Sequence, residues 1–465
     1  MEETSVYGFS KTQTMNKVCT HIGIYGQNDI HGIIIEEQSG FSMKLSLIKQ
    51  TDSTQSTIEG LLGQLNPTQR QAAETTDGPV LIIAGAGSGK TRVLTFRVAH
   101  LIQKGVLPQS ILALTFTNKA ASEMKSRISA LVDPLLAKKV WAGTFHSIFA
   151  RILRIEAELI GYDSTFSIYD ADDSLSIIRA CMNYAGVSTQ QITAQSIRGK
   201  ISHAKNQMIG WQQFSADAAS INDRLAAKVY QEYEKRLKAN NAMDFDDILL
   251  SMIHVLRLFP DVRDKYNDRF RYVMVDEYQD TNTIQEQIFF ALSGGHKNIC
   301  VVGDDDQALY RFRGATVENF VQFPQRCREV LSTEPTTIPL NRNYRSREQI
   351  VTFYNQFIDH CNWTEGKATY RVPKIIEAHR TDATASVVAS TGGSPEDTYT
   401  EIAGLIRQLI DTGKVKDANQ IAFLFPSLKS EHVQRAMDAL EQVGLRAYAP
   451  RAGRFLEVDE AMDVF

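Results

Sequence analysis

The sequence predicts an α/β protein built on a doubly wound parallel sheet, and three observations predict it. From Leu61 onward, short apolar runs suited to buried parallel strands alternate with amphipathic stretches of helical length. A glycine-rich segment, AGAGSGKT at 84–91, lies between one such run and a helix-like stretch. Another apolar run ends in two adjacent carboxylates, Asp276 and Glu277.

The expected strands are Val80–Ala84, Ile111–Phe116, Val140–Gly143, Tyr272–Val275 and Ile299–Gly303. Residues 151–243 read as helix after helix without a convincing strand, which predicts an all-helical insertion. The first domain is therefore expected over 58–150 and 244–330. A second α/β unit is expected over 331–465, opening near Thr337, with a strand at IAFLF (421–425) and a helix at 428–443. Residues 379–398 have a loop-like composition. Residues 1–57 are polar and lack a helical period, so they read as an extension of unassigned structure and role.

With 465 residues, the chain has room for two to four domains, each with its own core. A net charge of −4 excludes a generally basic coat for nucleic acid but permits a local basic groove. No apolar run reaches eighteen residues, and the first residues lack the basic and apolar regions of a secretory signal. The five cysteines form no C-x-x-C pair, which argues against a zinc site or disulfide framework. A reduced cytoplasmic protein is the simplest expectation.

The segment from Ala84 through Gly85, Ala86, Gly87, Ser88 and Gly89 to Lys90 and Thr91 has the composition of a phosphate cradle. Small residues let backbone N–H groups turn onto phosphate oxygens, and the following helix adds its positive end. Lys90 would reach the outer phosphates and Thr91 would place its hydroxyl on Mg²⁺. Ala84 stands where the strict pattern has glycine. In YVMVDEYQD, Asp276 is expected to hold Mg²⁺, and Glu277 to position and deprotonate the attacking water. The acidic DFDD at 244–247 precedes an amphipathic helix, so helix capping is the expected role there.

Seven segments in order then resemble the UvrD/Rep family of superfamily one DNA helicases. They are LNPTQRQA (65–72), AGAGSGKT (84–91), ALTFTNKAASEM (113–124), GTFHS (143–147), VDEYQD (275–280), VVGDDDQALYRFRGA (301–315) and LNRNYRS (340–346). The resemblance implies a RecA-like ATP-binding domain and a 3′ to 5′ DNA motor using ATP and Mg²⁺. It implies that Gln69 reads adenine, that Tyr344 stacks on it and that Arg92 lies beside the nucleotide. Arg345 would reach the terminal phosphate from a second RecA-like domain, and Gln307 would sense that phosphate. On the DNA side it implies base stacking by Phe116 and Phe312, with phosphate contacts from Thr117, Asn118, Thr144 and His146. Tyr310 and Arg313 flank Phe312 as further candidates. The family usually carries tryptophan at the position of Phe312, so the stacking area here would be smaller. Single-stranded DNA and duplex junctions are the expected partners.

The late family segments of the T-x-H-x-x-K-G-L-E and L-T-R-A types do not follow Arg345. A second RecA-like domain that is begun but not closed is therefore expected. The alternative to a working helicase is an ATP- and DNA-binding module with little turnover of its own. A helicase–nuclease ranks lower, because no nuclease-type carboxylate cluster occurs.

Overall fold

The computed structural model describes residues 60–309, 316–365, 368–369, 371–382, 386–388, 393–425, 427–428 and 430–448. It also describes the backbone pairing of Ile30–Gln38 with Ser42–Lys49. The chain divides into two compact units, Met1–Ser346 with Asp359–Arg380, and Arg347–Ile358 with Thr381–Phe465.

The first unit is organised by a six-stranded sheet. Its strands are β1 (Val80–Ala84), β2 (Ile111–Thr115), β3 (Trp141–Thr144), β4 (Tyr272–Val275), β5 (Ile299–Gly303) and β6 (Thr336–Leu340). Their spatial order is β6-β1-β5-β4-β2-β3, and every pairing is parallel. Parallel strands need helical crossovers, which cover both faces and explain the nearly continuous apolar runs. Side chains alternate between two cores. Leu81, Ile83, Leu112, Leu114, Val273 and Val275 face one, while Val80, Ile82, Ala84, Ile111, Ala113 and Met274 face the other.

Side-chain caps start the helices where the chain leaves the strands. Thr117 accepts from the Ala120 N–H to start Asn118–Leu131, and Thr144 accepts from the Ser147 N–H to start Phe145–Ile155. Each such cap is worth about 1 kcal/mol. Asp244 caps Phe245–Leu258 in a reciprocal box with Asp247, the role expected for the DFDD cluster. The helical region has its own core around Ile178, Met182, Ile197, Tyr230 and Tyr233. Beside it, the fully buried Lys205 ammonium meets Asp244 at 2.8 Å, Asp247 at 2.6 Å and Glu234 at 2.8 Å.

Five expectations change. The strand expected at Ile111–Phe116 stops at Thr115, and the one expected at Val140–Gly143 lies one residue later. The region 151–243 is not free of strands, because Ser167–Tyr169 pairs with Ala242–Asp244. Thr336–Leu340, expected to open the second unit, is instead the sixth strand of the first sheet, in register with Val80–Ala84. Its reach back across the chain is invisible to local periodicity. In the second unit, IAFLF at 421–425 forms no strand, since no strand pairs with it among the described residues. Ile421 and Phe423 pack instead on the core between Pro395–Asp411 and Glu431–Gln442.

Among the described residues, no helix is long and apolar enough to cross a membrane.

Candidate active site

Parallel α/β sheets place their working loops at the carboxyl ends of the strands, and the candidate residues collect there. The loop after β1 turns through Gly87 at φ +69° and Gly89 at φ +93° before the helix Lys90–Gln103 begins. Left-handed backbone favours glycine at both positions. The Ser88 hydroxyl is buried in this loop without a hydrogen-bond partner.

Lys90 projects from the helix N-terminus toward the end of β4. Its Nζ lies 2.7 Å from Glu277 Oε2 and donates to Gln307 Oε1 at 3.3 Å. The neighbouring Thr91 Oγ1 donates to Asp276 Oδ2 at 2.9 Å. Burial, reinforced by the Glu277 charge, pushes the Asp276 carboxyl up to about 6. Glu277 takes a left-handed backbone, φ 51° and ψ 48°. A non-glycine residue there is strained and persists only where its surroundings hold it. The turn separates the two side chains, sending Asp276 to Thr91 and Glu277 to Lys90.

Gln279 fastens this corner to the loop after β5. Its Nε2 donates to Glu277 Oε2 at 3.0 Å, and its Oε1 accepts from the Asp304 N–H at 3.0 Å. Gln307 Nε2 donates to Asp304 Oδ2 in turn. Carboxylate, glutamine, aspartate, glutamine and lysine thus form a closed circuit. Gln279 lies within DEYQD, where no local pattern signals this role.

A cleft of about 700 Å³ opens over this circuit, lined by Lys90, Thr91, Arg92, Glu277, Tyr344 and Arg345, among others. Tyr344 and Arg345 fall in the same compact unit as Lys90, beside that unit's boundary at Ser346. The Tyr344 N–H donates to the Gly87 carbonyl at 3.0 Å, and Asn343 Oδ1 accepts from the Arg345 and Ser346 N–H groups. Asn343 is a second residue whose role has no local signal in the sequence. Arg92 donates to the Gln64 carbonyl and lies over the Phe96 ring.

Gln69 stands behind the loop. Its Nε2 donates to the Ser88 carbonyl at 2.8 Å, while its Oε1 accepts from the Asn66 N–H, completing a capping box. The amide nitrogen thus braces the loop, while its oxygen caps the helix Pro67–Glu74. Ala84 is the buried last residue of β1, and Gly85 approaches Ile376 so closely that a Cβ would collide with it.

The candidate DNA contacts gather at the ends of β2 and β3, where Thr115 and Thr144 are register partners. Phe116 is half-buried, with its ring edge-on to Phe145 at 5.8 Å. Thr117 and Asn118 are exposed, whereas Thr144 is buried as a cap. His146 packs against Phe245, and burial pushes its imidazole down to about 4, so it is neutral at pH 7. Tyr310, Phe312 and Arg313 lie outside the described residues.

The model of the UvrD/REP helicase N-terminal domain matches residues 65–328. The ATP-dependent DNA helicase PcrA of Bacillus subtilis (strain 168) is 38% identical over 405 residues, covering 87% of this chain and 52% of that protein. PcrA of Leuconostoc citreum is 41% identical over 316 residues, covering 66% of this chain and 42% of its own. PcrA of Staphylococcus aureus (strain COL) is 41% identical over 302 residues, covering 65% and 40% respectively. The chain spans about half the length of these curated relatives. The family match covers the six-stranded sheet except β6, the helical region and the whole Lys90–Glu277–Gln307 circuit, and this chain belongs to the UvrD/REP helicase N-terminal domain family.

Proposed function

We propose that the chain binds and hydrolyses ATP with Mg²⁺ in the cleft over Lys90, and that it serves a DNA helicase moving 3′ to 5′ on single strands. The observation that carries this reading is the placement of Lys90 between Glu277 and Gln307, beside the Thr91–Asp276 pair.

The residues fit the nucleotide and the ion. A left-handed loop with an unpartnered buried hydroxyl suits phosphate oxygens. Thr91 Oγ1 and Asp276 Oδ2 are hard oxygen donors side by side, as Mg²⁺ prefers. When bound, Mg²⁺ would neutralise charge on the phosphate oxygens. Lys90 would exchange its pairing with Glu277 for the phosphates, which releases that carboxylate to accept a proton from the attacking water. Arg345, beside Gly87 in the cleft lining, would stabilise charge developing on the transferred group. Phe116, with Phe312, would stack on bases, while Thr117, Asn118, Thr144 and His146 hold the DNA backbone. Localisation in the cytoplasm and action at duplex junctions belong to the same proposal.

The test is titration with a fluorescent ATP analogue and Mg²⁺, with steady-state hydrolysis alongside. Lys90→Ala should weaken binding by roughly tenfold or more, because a charge-assisted contact is lost. Glu277→Gln should keep or improve affinity, since it releases Lys90, yet lose turnover. Unchanged affinity in Lys90→Ala would sink the assignment. Intact binding without measurable turnover in the unaltered chain would favour a binding module.

A further inference from the structure

Behind the candidate active site, the three consecutive carboxylates after β5 enclose a buried ammonium from a distant part of the chain. Lys374 Nζ lies 3.1 Å from Asp304 Oδ1 and 2.9 Å from Asp306 Oδ2, and it donates to Asp305 Oδ1. The side chains of Asp304, Asp305 and Lys374 are at most 2% exposed. Arg371 adds a second cation, with Nε 2.7 Å from Asp306 Oδ1, and the Val372 N–H donates to Asp305 Oδ2 at 2.6 Å. Three carboxylates that could hold a metal ion are thus already paired with cations of the protein itself. Burial alone would lower the Lys374 pKa, but Asp304 and Asp305 outweigh it and hold the pKa above the usual lysine value.

Asp304 is the shared point. One of its oxygens meets Lys374, and the other accepts from Gln307 Nε2, whose Oε1 faces Lys90. Without the ammonium, three adjacent buried carboxylates would repel one another, and Asp304 would protonate or move. Either change withdraws the acceptor that orients the Gln307 amide. We propose that Lys374 is a positioning residue for nucleotide-state sensing: through Asp304 it fixes Gln307 against Lys90, so that the site distinguishes a nucleoside triphosphate from a diphosphate. The inference rests on the proposed nucleotide site and deepens it. Lys374 itself is not among the residues that line the cleft.

The experiment is a double-mutant cycle on the whole chain, read by affinity for ADP and for a non-hydrolysable ATP analogue, each with Mg²⁺. Lys374→Met should lower affinity for the triphosphate analogue by roughly tenfold, the worth of one charge-assisted hydrogen bond. Affinity for ADP should change less than about twofold. In a Gln307→Ala background, Lys374→Met should have little further effect, because the path through the amide is already cut. Asp304→Asn, which removes the shared charge and keeps the shape, should reproduce the triphosphate-selective loss. It stands in for Lys374→Met if that variant fails to fold, as judged by circular dichroism. Equal losses for both nucleotides, or a loss that persists undiminished in Gln307→Ala, would overturn the proposal. If Lys90→Ala abolishes binding while Lys374→Met and Asp304→Asn leave triphosphate affinity intact, this inference fails and the nucleotide site stands. If the unaltered chain binds neither nucleotide, both fail.

Discussion

Gly87 holds φ at +69°, and a Cβ there would come within 2.9 Å of both Arg345 Cβ and Asn343 Oδ1. An L side chain in the left-handed region costs about 1–2 kcal/mol before any collision is counted. The Asn343 oxygen cannot yield freely, because it accepts from two backbone N–H groups. Gly87→Ala should therefore displace the loop from Arg345 and weaken binding of a fluorescent ATP analogue by roughly tenfold. Circular dichroism should show the fold intact. Unaltered affinity would mean that the loop's shape is not what holds the nucleotide. Glu277 shows strain of the same backbone kind without glycine's freedom, held by the Lys90 ion pair and the Gln279 amide.

Between elements, the helix Thr283–Ser293 returns to the end of β4 through one buried carboxyl. Glu286 accepts from the Tyr278 hydroxyl at 3.0 Å and faces Arg326 at 3.5 Å, with Cys327 nearby. Burial pushes this carboxyl from 4.5 up to about 7, against the opposing pull of Arg326. A folded-state pKa above the unfolded one means the folded protein keeps a proton that the unfolded chain has lost. The resulting stability is fully present below about pH 4.5 and is lost as pH rises through about 7. Glu286→Gln should flatten the fall in unfolding free energy between about pH 5 and pH 8 by roughly 1–3 kcal/mol. Urea titrations of both proteins at the two pH values measure this. Equal pH slopes would show that Glu286 is ionised in the fold.

Across the whole molecule, a net charge of −4 offers DNA no general attraction. The described candidate contacts, Phe116, Thr117, Asn118, Thr144 and His146, carry no positive charge at pH 7, because burial holds His146 near 4. Salt dependence arises from counterions released when cations neutralise phosphates, roughly −0.7 in log–log slope per cation on single strands. Affinity for a single-stranded oligonucleotide should therefore show a shallow salt slope, on the order of −2 or less steep. Fluorescence anisotropy over a series of salt concentrations measures it. A steep slope would place the grip on a basic groove elsewhere in the chain.

The sequence by itself determined the parts that depend on neighbours in the chain. Five of the six strands, the glycine-rich loop after β1 and the Asp276–Glu277 corner were legible because burial periodicity, glycine chemistry and helix starts act within a few residues. Only the tertiary structure decided what depends on closure over long distances. Thr336–Leu340 reads locally as the start of something new, yet its backbone finds its hydrogen-bond partner in Val80–Ala84, far back in the chain. IAFLF has a strand's composition but no strand beside it among the described residues, and a ladder takes two. Lys374 carries no local signal, because its meaning comes from three carboxylates some 69 residues away. A buried charge must find its opposite somewhere, and sequence spacing does not say where.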